Sequence, residues 1–335
     1  MRKCLKCRVR TPYRAASAGW QRHGRHACPR VAEPLASARL QLGSISMVNA
    51  AFVGLGVMGF PMAGHLQAKG HAVTVYNRTA AKAAQWSDRF GGQYAGTPRE
   101  AAHGADVVLT CVGNDADLRS VVLGDDGILA GLAPGAVLVD HTTASADVAR
   151  ELFAACAAQE AHFIDAPVSG GQAGAENGAL TIMCGGEPDA FARVEPVLQA
   201  YGRAVTLMGP AGAGQLTKMV NQICIGGLLQ ALAEGINFAS RAGLDPAQVL
   251  ATISKGAAQS WQMENRWPTM AAGKFDFGFA VDWMRKDLAI ALEEGRRNGT
   301  ALPVTALVDQ FYRLIQQKGG GRLDTSSLIL NLQGE

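Results

Sequence analysis

The sequence lacks an unbroken apolar run of the roughly 18 residues that a membrane-spanning helix needs. It also lacks internal repeats and low-complexity segments. Charged residues make up 18% of the 335 residues and hydrophobic residues 48%, which are ordinary proportions for a globular protein. Because single cores stop growing at roughly 250 to 300 residues, this length predicts two domains. We expect a soluble protein that does not bind membranes.

Cysteine provides no disulfide pattern. Four of the seven cysteines lie in apolar segments without a shared spacing, namely Cys111, Cys156, Cys184 and Cys224. This distribution is typical of buried free thiols in a reducing compartment, so we expect a cytoplasmic location. Near the N-terminus the spacing is loosely zinc-like, at Cys4, Cys7, His23, His26 and Cys28. The leader has few large apolar residues to pack around a metal, and we therefore expect no metal there.

Charge is unevenly distributed along the chain. Residues 1–46 contain ten lysines and arginines but a single acid, Glu33, while the rest of the chain is net acidic. An acidic body gives no reason to expect nucleic acid as a partner. The basic leader is consistent with an upstream start that is not the true one, with a disordered arm, or with a mitochondrial transit peptide. We expect the folded protein to begin at Met47.

Short apolar runs alternate with helical patterns between residues 48 and 209. The strand-like runs are 50–53, 72–76, 106–111, 136–139, 162–164, 180–183 and 204–207. Helix-like stretches at 58–69, 80–88, 145–159 and 189–198 lie between them. Alternation of this kind predicts βαβ units and a parallel sheet.

The strand signal disappears after Gly212. Residues 215–242 contain no proline, and a single helix over them would be about 40 Å long at its usual rise per residue. Helical patterns follow at 246–254, 282–297 and 303–317. We therefore predict a Rossmann-type α/β domain over residues 47–211, followed over 212–335 by a connecting helix and an all-helical domain, with 1–46 outside both.

A glycine-rich turn follows the first predicted strand. Gly54, Gly56 and Gly59 stand between that strand and a helix, in the spacing of a dinucleotide-binding turn. The first glycine permits the tight turn, the second lets the backbone approach a pyrophosphate, and the third allows close packing of helix and strand. Leu55, Val57 and Met58 complete the predicted cofactor-binding turn.

The second predicted strand ends without the acid that usually holds the ribose 2′-hydroxyl of NAD. Asn77, Arg78 and Thr79 stand there instead. An arginine with a neighbouring amide and hydroxyl offers several donors to a 2′-phosphate. The sequence therefore favours NADP(H) over NAD(H) as the cofactor.

Four separated motifs resemble those of one enzyme family. They are GLGVMGFPMAGHL at 54–66, DAPVSGG at 165–171, GAGQLTKMVNQ at 212–222 and FAVDWMRKDL at 279–288. From Met47 nearly to the C-terminus the chain resembles the β-hydroxyacid dehydrogenases, which include 3-hydroxyisobutyrate dehydrogenase and reductases of tartronate, glyoxylate and succinic semialdehydes. Departures are His65 and Gln222, where the family usually has Asn, and Gly113 in place of a proline.

The resemblance implies roles for several residues. Ser169, Gly170 and Gly171 would bind the substrate carboxylate, because a hydroxyl with consecutive backbone N–H groups makes an anion cradle. Lys218 would move the proton, with Asn221 and Gln222 on the same helix face holding the reacting oxygen. The cofactor-binding residues implied in addition to the glycine turn are Val112, Thr143 and Lys286.

The expected activity is hydride transfer between a nicotinamide cofactor and a small semialdehyde, keto or hydroxy acid, with no metal involved. Ser260, Trp261 and Trp283 are predicted walls of the substrate pocket. A homodimer or homotetramer formed through the helical domain is implied by the resemblance. Two alternatives stay open: a reductase of imines or other carbonyls without an acid group, and a catalytically silent NADP-binding protein.

Overall fold

The computed structural model describes residues 47–333. The basic leader, its zinc-like cysteines and its histidines lie outside this range. The described residues all belong to one compact unit. Within it, an α/β domain is followed by a helical domain.

The α/β domain contains nine strands and seven helices within the described residues. Its elements are β1 (Asn49–Val53), α1 (Gly59–Ala68), β2 (Ala72–Tyr76), α2 (Ala80–Phe90), β3 (Gln93–Tyr94), α3 (Pro98–Ala102), β4 (Val107–Thr110), α4 (Asp115–Leu123), β5 (Val137–Asp140), α5 (Ala146–Ala157), β6 (His162–Asp165), β7 (Val168–Ser169), α6 (Gly171–Glu176), β8 (Leu180–Gly186), α7 (Pro188–Leu198) and β9 (Gly202–Gly209). All seven predicted strands are present. The strands β3 and β7 were not predicted, because two residues are too few to show a period.

The strands form one sheet in the order β3-β2-β1-β4-β5-β6-β8-β7, with β9 beside β8. From β3 to β6 all neighbours are parallel. The sheet is not parallel throughout, since β8 runs antiparallel to β6 and β7. The connection through α6 is shorter than the dozen or so residues that a parallel crossover needs, so the chain reverses there.

Chain order reverses between β1 and β4, which are neighbours although two strands separate them in sequence. In doubly wound sheets, ligands bind at the carboxyl ends of the strands at such a point. Both faces of the sheet are covered by apolar clusters, with Phe52 and Trp86 on one side and Val53 and Leu138 on the other. The strands are therefore rigidly held, and the exposed carboxyl edge is where a site can form.

The helical domain consists of five helices and a terminal 3₁₀ segment within the described residues. Its elements are α8 (Ala213–Arg241), α9 (Pro246–Ile253), α10 (Trp261–Ala271), α11 (Val281–Asn298), α12 (Pro303–Gln317) and the 3₁₀ segment Thr325–Asn331. The long helix, α9, α11 and α12 match the prediction. The helix α10 was not predicted, and it contains Pro268, a residue that usually argues against a helix interior.

The long helix α8 has the length and composition of a membrane span. Its sequence contains no unbroken apolar run of that length, because polar residues interrupt it. Gln215, Lys218 and Gln222 on this helix are buried in the folded protein. Leu229 and Ile236 lie in the core of the helical domain. Packing against other helices thus accounts for part of the apolar composition of α8, while Val220 and Phe238 remain exposed.

The four cysteines of the described chain are free thiols. Cys156 and Cys184 are buried and Cys111 is half-buried. The expectation of a buried thiol was wrong for Cys224, which is exposed. Cys224 lies on the side of α8 that faces away from the helical core, and an apolar sequence neighbourhood does not reveal which side of a helix is covered.

Candidate active site

The glycine turn after β1 has the geometry that a pyrophosphate site needs. Gly54 has φ +101°, and a Cβ there would lie 2.3 Å from the carbonyl oxygen of Cys111. A Cβ on Gly59 would lie 2.0 Å from the carbonyl oxygen of Gly54. By contrast, a Cβ on Gly56 would have no neighbour within 4 Å. The turn is therefore tightly packed from below and open toward solvent at Gly56, where a phosphate can approach the backbone.

The end of β2 is tied to this turn by Asn77. Its Oδ1 accepts a hydrogen bond from the Leu55 N–H at 3.0 Å, and its Nδ2 donates to the Thr79 carbonyl at 3.1 Å. Arg78 has an 89% exposed side chain and lies 3.5 Å from a carboxylate oxygen of Asp117. The structure thus holds Asn77 and Thr79 in the turn and leaves the Arg78 guanidinium at the mouth of the cleft.

The ends of β4 and β5 are fixed by a buried carboxyl group. Asp140 Oδ1 accepts hydrogen bonds from the Thr110 hydroxyl at 2.7 Å and the Thr142 N–H at 3.0 Å. The Thr142 hydroxyl in turn accepts from the Val112 N–H at 3.0 Å. Burial raises the pKa of Asp140 to about 7, although these hydrogen bonds oppose the rise. This group supports the floor of the cleft from within the sheet.

His141 is buried beside this floor and is kept neutral. Its Nδ1 lies 2.7 Å from the Ala166 carbonyl oxygen, and its Nε2 lies 2.7 Å from the Tyr201 hydroxyl. Burial lowers the pKa of His141 to about 4. An imidazole with both nitrogens occupied by protein groups has a structural role and does not act as a proton donor to a substrate.

The first turn of α8 is anchored to the sheet. Asp165, at the end of β6, accepts hydrogen bonds from the Gly212 N–H at 2.7 Å and the Gln215 N–H at 2.9 Å. The Gln215 side chain donates to the Thr142 carbonyl at 2.7 Å and accepts from the Ala144 N–H at 3.0 Å. These contacts place the next residues of α8, including Lys218, above the end of β5.

Lys218 is only 7% exposed. Burial lowers its pKa to about 8; the Asp287 carboxylate opposes this shift, and the Lys286 ammonium adds to it. An amine with this pKa can both donate and accept a proton near neutral pH. The position of Lys218 on the helix is thus matched by a protonation equilibrium suited to proton transfer.

A row of hydrogen bonds leads from Ser169 to Asp287. The Ser169 hydroxyl donates to Asn221 Oδ1 at 3.3 Å, and Asn221 Nδ2 donates to Gln222 Oε1 at 2.7 Å. Gln222 Nε2 then donates to Asp287 Oδ2 at 2.6 Å. The longer side chain of Gln222 therefore reaches across to α11. Its amide is engaged by Asn221 and Asp287, whereas Asn221 remains beside Ser169.

The second oxygen of Asp287 lies 3.0 Å from the ammonium nitrogen of Lys286, within ion-pair distance. The same ammonium donates a hydrogen bond to the carbonyl oxygen of Thr143, in the α/β domain. Lys286 thus joins α11 to the end of β5. Thr143 and Lys286, both predicted to contact the cofactor, are brought together by the fold.

At the mouth of the cleft, Ser169 ends β7, Gly170 forms the turn and Gly171 begins α6, and these three residues are called the Ser169 loop. The two glycines are exposed and Ser169 is half-buried. A Cβ on Gly171 would meet no atom within 4 Å. The loop therefore leaves its backbone accessible to a small anion next to Asn221.

The three residues predicted to form walls of the substrate pocket make different local contacts. Ser260 caps α10, where its hydroxyl accepts from the Met263 N–H at 3.0 Å. The Trp261 ring lies over the guanidinium of Arg266 at 5.2 Å from its centroid. Trp283, in the first turn of α11, packs on the loop after β4 at Gly113. The structure thus relates Trp283 to the cofactor side of the cleft.

Comparisons with known proteins agree with this arrangement. The family model described as the NAD binding domain of 6-phosphogluconate dehydrogenase matches residues 49–209. The model described as NAD-binding of NADP-dependent 3-hydroxyisobutyrate dehydrogenase matches residues 212–332. An uncharacterized oxidoreductase of Shewanella frigidimarina is 65% identical over 86% of this chain and 99% of its own length.

Relatives with named activities are also similar over their full length. The 3-hydroxyisobutyrate dehydrogenase of Pseudomonas aeruginosa is 35% identical, over 84% of this chain and 97% of its own. The solved structure of the Mycobacterium tuberculosis 3-hydroxyisobutyrate dehydrogenase with L-serine matches with a TM-score of 0.79 and 29% identity, over 86% of this chain and 100% of its own.

The chain belongs to the β-hydroxyacid dehydrogenase family. The family resemblance expected from the four motifs is confirmed, and so is the fold of a Rossmann-like domain followed by a helical domain. Family membership makes the protein an NAD(P)-dependent oxidoreductase of the hydroxyacid dehydrogenase type. The open glycine turn fits the cofactor of such an enzyme.

Several groups that build the site were not singled out from the sequence. In the sequence, Asp287 and its neighbour Lys286 look like two charges on a solvated helix face. In the structure, Asp287 is buried between α11 and α8. Asp165 and Gln215 belong to recognised motifs, but the motifs do not show that these side chains anchor α8. A buried acid is revealed only by the helix packed above it. In residues 47–333 no cluster of three or more His, Cys, Asp or Glu side chains is arranged to hold a metal ion.

The charge balance at Lys218 leads to a measurable prediction. We expect the Lys218 amine to titrate near pH 8. In Asp287→Asn the pKa should fall further, because the carboxylate that favours the ammonium form is removed. The ¹³Cε chemical shifts of lysine, followed by NMR across pH 6 to 11, measure both values, and Lys218→Met assigns the resonance.

Asp282→Asn on the same helix provides the matched control, because Asp282 bonds to Gln316 instead of approaching Lys218. An unchanged Lys218 titration in Asp287→Asn, or an equal change in Asp282→Asn, would contradict the assigned charge balance.

Proposed function

We propose that this chain is an NADP-dependent oxidoreductase that interconverts a small semialdehyde or keto acid and its hydroxy acid, with Lys218 as general acid and base. The observation that carries the proposal is the buried Lys218 with its pKa lowered to about 8. It lies on the same helix face as Asn221, which contacts Ser169 of the exposed loop. A proton-transfer group and a carboxylate cradle are therefore adjacent.

The division of roles follows from these contacts. Bound nicotinamide supplies hydride transfer. Lys218 donates a proton to the substrate oxygen during reduction and accepts it during oxidation. Asn221 orients the substrate oxygen, while Ser169 and the backbone of Gly170 and Gly171 bind the carboxylate. Holding a small acid at both ends fixes its orientation, which can supply a large share of the rate.

Gln222 has a positioning role in this scheme. Its amide lies between Asn221 and Asp287, and its side chain is buried. We propose that it fixes the orientation of the Asn221 amide, so that Asn221 Oδ1 faces Ser169. In this arrangement the substrate oxygen is held by Lys218 and Asn221.

The test is initial-rate kinetics with succinic semialdehyde, glyoxylate and tartronate semialdehyde, each with NADPH and NADH. We expect turnover of one of these acids with NADPH. Lys218→Ala should reduce kcat by roughly 100- to 10,000-fold, the usual contribution of general acid–base catalysis. Because reduction uses the ammonium form, the wild-type rate should fall as the pH rises through about 8, and the oxidation rate should rise.

The outcomes separate the alternatives. Turnover of imines or of carbonyls without an acid group, and not of the acids, would make the protein an imine or carbonyl reductase on the same scaffold. Tight NADPH binding without turnover of any substrate would indicate a silent binding protein. Lys255→Ala, which removes an exposed lysine of the helical domain, serves as the control and should leave the rate unchanged.

The preference for NADP is proposed from the end of β2. Arg78 lies at the open mouth of the cleft, where its exposed guanidinium can donate hydrogen bonds to a phosphate. Asn77 and Thr79 shape the adjacent turn. The family model that matches residues 212–332 is also described with NADP. The Asp117 carboxylate 3.5 Å from Arg78 acts in the opposite direction, because it repels a 2′-phosphate.

Two substitutions test this preference. Arg78→Ala should weaken NADPH binding by about tenfold, the loss expected for a charged hydrogen bond, and leave NADH binding unchanged. Asp117→Asn should tighten NADPH binding by up to about fivefold, since the pair is exposed and screened. Dissociation constants from fluorescence titration measure both effects. Equal losses for NADPH and NADH in Arg78→Ala would rule out recognition of the 2′-phosphate.

We also propose that the protein is a homodimer or homotetramer formed through the helical domain. Large apolar side chains are exposed along α8 and α12, at Val220, Phe238, Val304, Leu307 and Leu314. The two helices are adjacent, since Val304 lies beside Gly227 of α8. An exposed apolar surface of this kind is typical of an interface, and a two-fold contact places the same surface on both copies.

Light scattering coupled to size exclusion tests this assembly. Leu307→Glu places a charge within the apolar surface and should shift the protein toward the monomer at micromolar concentration. Gln317→Glu introduces the same charge at another exposed position of α12 and should leave the molar mass unchanged. A monomeric wild-type protein, or the same shift in both variants, would contradict the proposed interface.

The remaining proposals concern partners and location. We propose a small acid as the partner of this site, and not nucleic acid or a membrane, because the chain after residue 46 is net acidic. The four free thiols of the described chain support a reducing compartment. We propose the cytoplasm, with the mitochondrion as the alternative if the basic leader is a transit peptide.

A further inference from the structure

An indole from the helical domain packs on the bare backbone of Gly113. A Cβ added to Gly113 would lie 3.3 Å from Trp283 Cη2 and 2.5 Å from Asp117 Oδ2. Gly113 directly follows β4 and precedes α4, whereas Trp283 lies in the first turn of α11. A side chain at position 113 would crowd both the Asp117 carboxylate and the indole, so the glycine leaves room for Trp283 to pack on the α/β domain.

Trp283 and Lys286 share one face of α11, three residues apart. The ammonium of Lys286 lies 6.0 Å from the Trp283 ring centroid and donates a hydrogen bond to the Thr143 carbonyl. One turn of α11 thus contacts the loop after β4 through an indole and the loop after β5 through an ammonium. These contacts are adjacent, because β4 and β5 are neighbouring parallel strands.

The order of the strands indicates which half of the cofactor would lie beside Gly113. The glycine turn follows β1, and the predicted 2′-phosphate position follows β2, on one side of β1. The cofactor must therefore extend across β4 and β5, on the other side of β1, to bring its nicotinamide to Lys218. Gly113 lies on that second half of the route.

The burial of Trp283 differs from that of a core tryptophan. Trp86 and Trp267 are each at most 2% exposed and belong to the two domain cores, whereas Trp283 remains 37% exposed. A large apolar ring is thus left partly uncovered where the two domains meet. Its exposed surface is available to a planar or apolar ligand.

We propose that Trp283 forms the wall over the nicotinamide-riboside half of the bound cofactor, and that glycine at position 113 provides the space for this indole. Trp283 is then a determinant of cofactor affinity and does not select the substrate acid. The inference rests on the cofactor lying along the carboxyl edge of the sheet. It is independent of which acid is the substrate.

The first test is the dissociation constant of NADPH, measured by fluorescence titration of the full chain. Trp283→Ala should weaken binding by about tenfold, because a desolvated aromatic contact is lost. Trp283→Phe should recover part of this loss. Phe277→Ala removes an aromatic ring of the helical domain that is as exposed as Trp283 and packs on Arg266, and should bind NADPH as tightly as wild type.

A spectroscopic test reports the position of the ring separately from its effect on folding. At saturating NADPH, excited tryptophans transfer energy to the nicotinamide, and the transfer falls steeply with distance. Trp283→Phe should therefore reduce the sensitised nicotinamide emission more than Trp261→Phe does. A role of Trp283 in stability alone would not produce this difference in fully folded, saturated proteins.

A double-mutant cycle tests the role of Gly113. Gly113→Ala should weaken NADPH binding in the wild-type background, because its Cβ would crowd the indole at 3.3 Å in addition to Asp117 Oδ2 at 2.5 Å, and the Asp117 contact is the same in both backgrounds. In the Trp283→Ala background the same substitution should have a much smaller effect, which gives a coupling between the two positions. Additive losses would contradict the proposal that the glycine makes room for the indole.

The outcomes distinguish this inference from the proposed function. NADPH binding that is equally tight in wild type, Trp283→Ala and Trp283→Phe would overturn the role of Trp283, whether or not any acid is turned over. Failure of every acid substrate, with a tenfold loss of NADPH affinity in Trp283→Ala, would overturn the proposed substrate and leave the role of Trp283 established.

Discussion

The site depends on one buried carboxylate, Asp287, placed between two lysines. Burial alone drives the amine of Lys218 toward its neutral form, and the nearby Lys286 ammonium has the same effect. Asp287 opposes both. Its two oxygens are divided between the Lys286 ammonium and the Gln222 amide. The one acid therefore supports the protonation equilibrium of Lys218, the position of Lys286 and the orientation of the amide row that ends at Ser169.

This arrangement exists only where the two domains meet. Asp165 and Gln215 fix the first turn of α8 to the sheet, so that Lys218 lies above the end of β5. The helix α11 supplies Asp287 and Lys286 from the other side. Neither domain alone places the buried Lys218 beside the Ser169 loop and the open glycine turn. The long helix α8, which begins at the sheet and continues through the helical core, holds these parts in register.

Local sequence patterns predicted the parts of the fold that depend on local periodicity. These parts are the alternation of strands and helices, the glycine spacing at Gly54 and the polar helix face around Lys218. Each of them depends on residues that lie within a few positions of each other in the sequence. The reversal of β8 and the burial of Asp287 depend on what packs against them. The same applies to Trp283, which was predicted as a substrate wall and packs on Gly113. Trp283 contacts Gly113, which lies 170 positions earlier in the chain. A glycine has no side chain, so no sequence pattern predicts this contact.

Gln222 stands where the family usually has asparagine, and its longer side chain redistributes the hydrogen bonds of the site. The additional methylene lets the amide reach Asp287 on α11, and both ends of the amide are then occupied by protein groups. A buried amide that is already paired loses hydrogen bonds if it turns toward a ligand, which is costly. Asn221 is also bonded at both ends, to Ser169 and Gln222, but it is only half-buried. In the proposed mechanism the substrate oxygen is therefore held by Lys218 and Asn221.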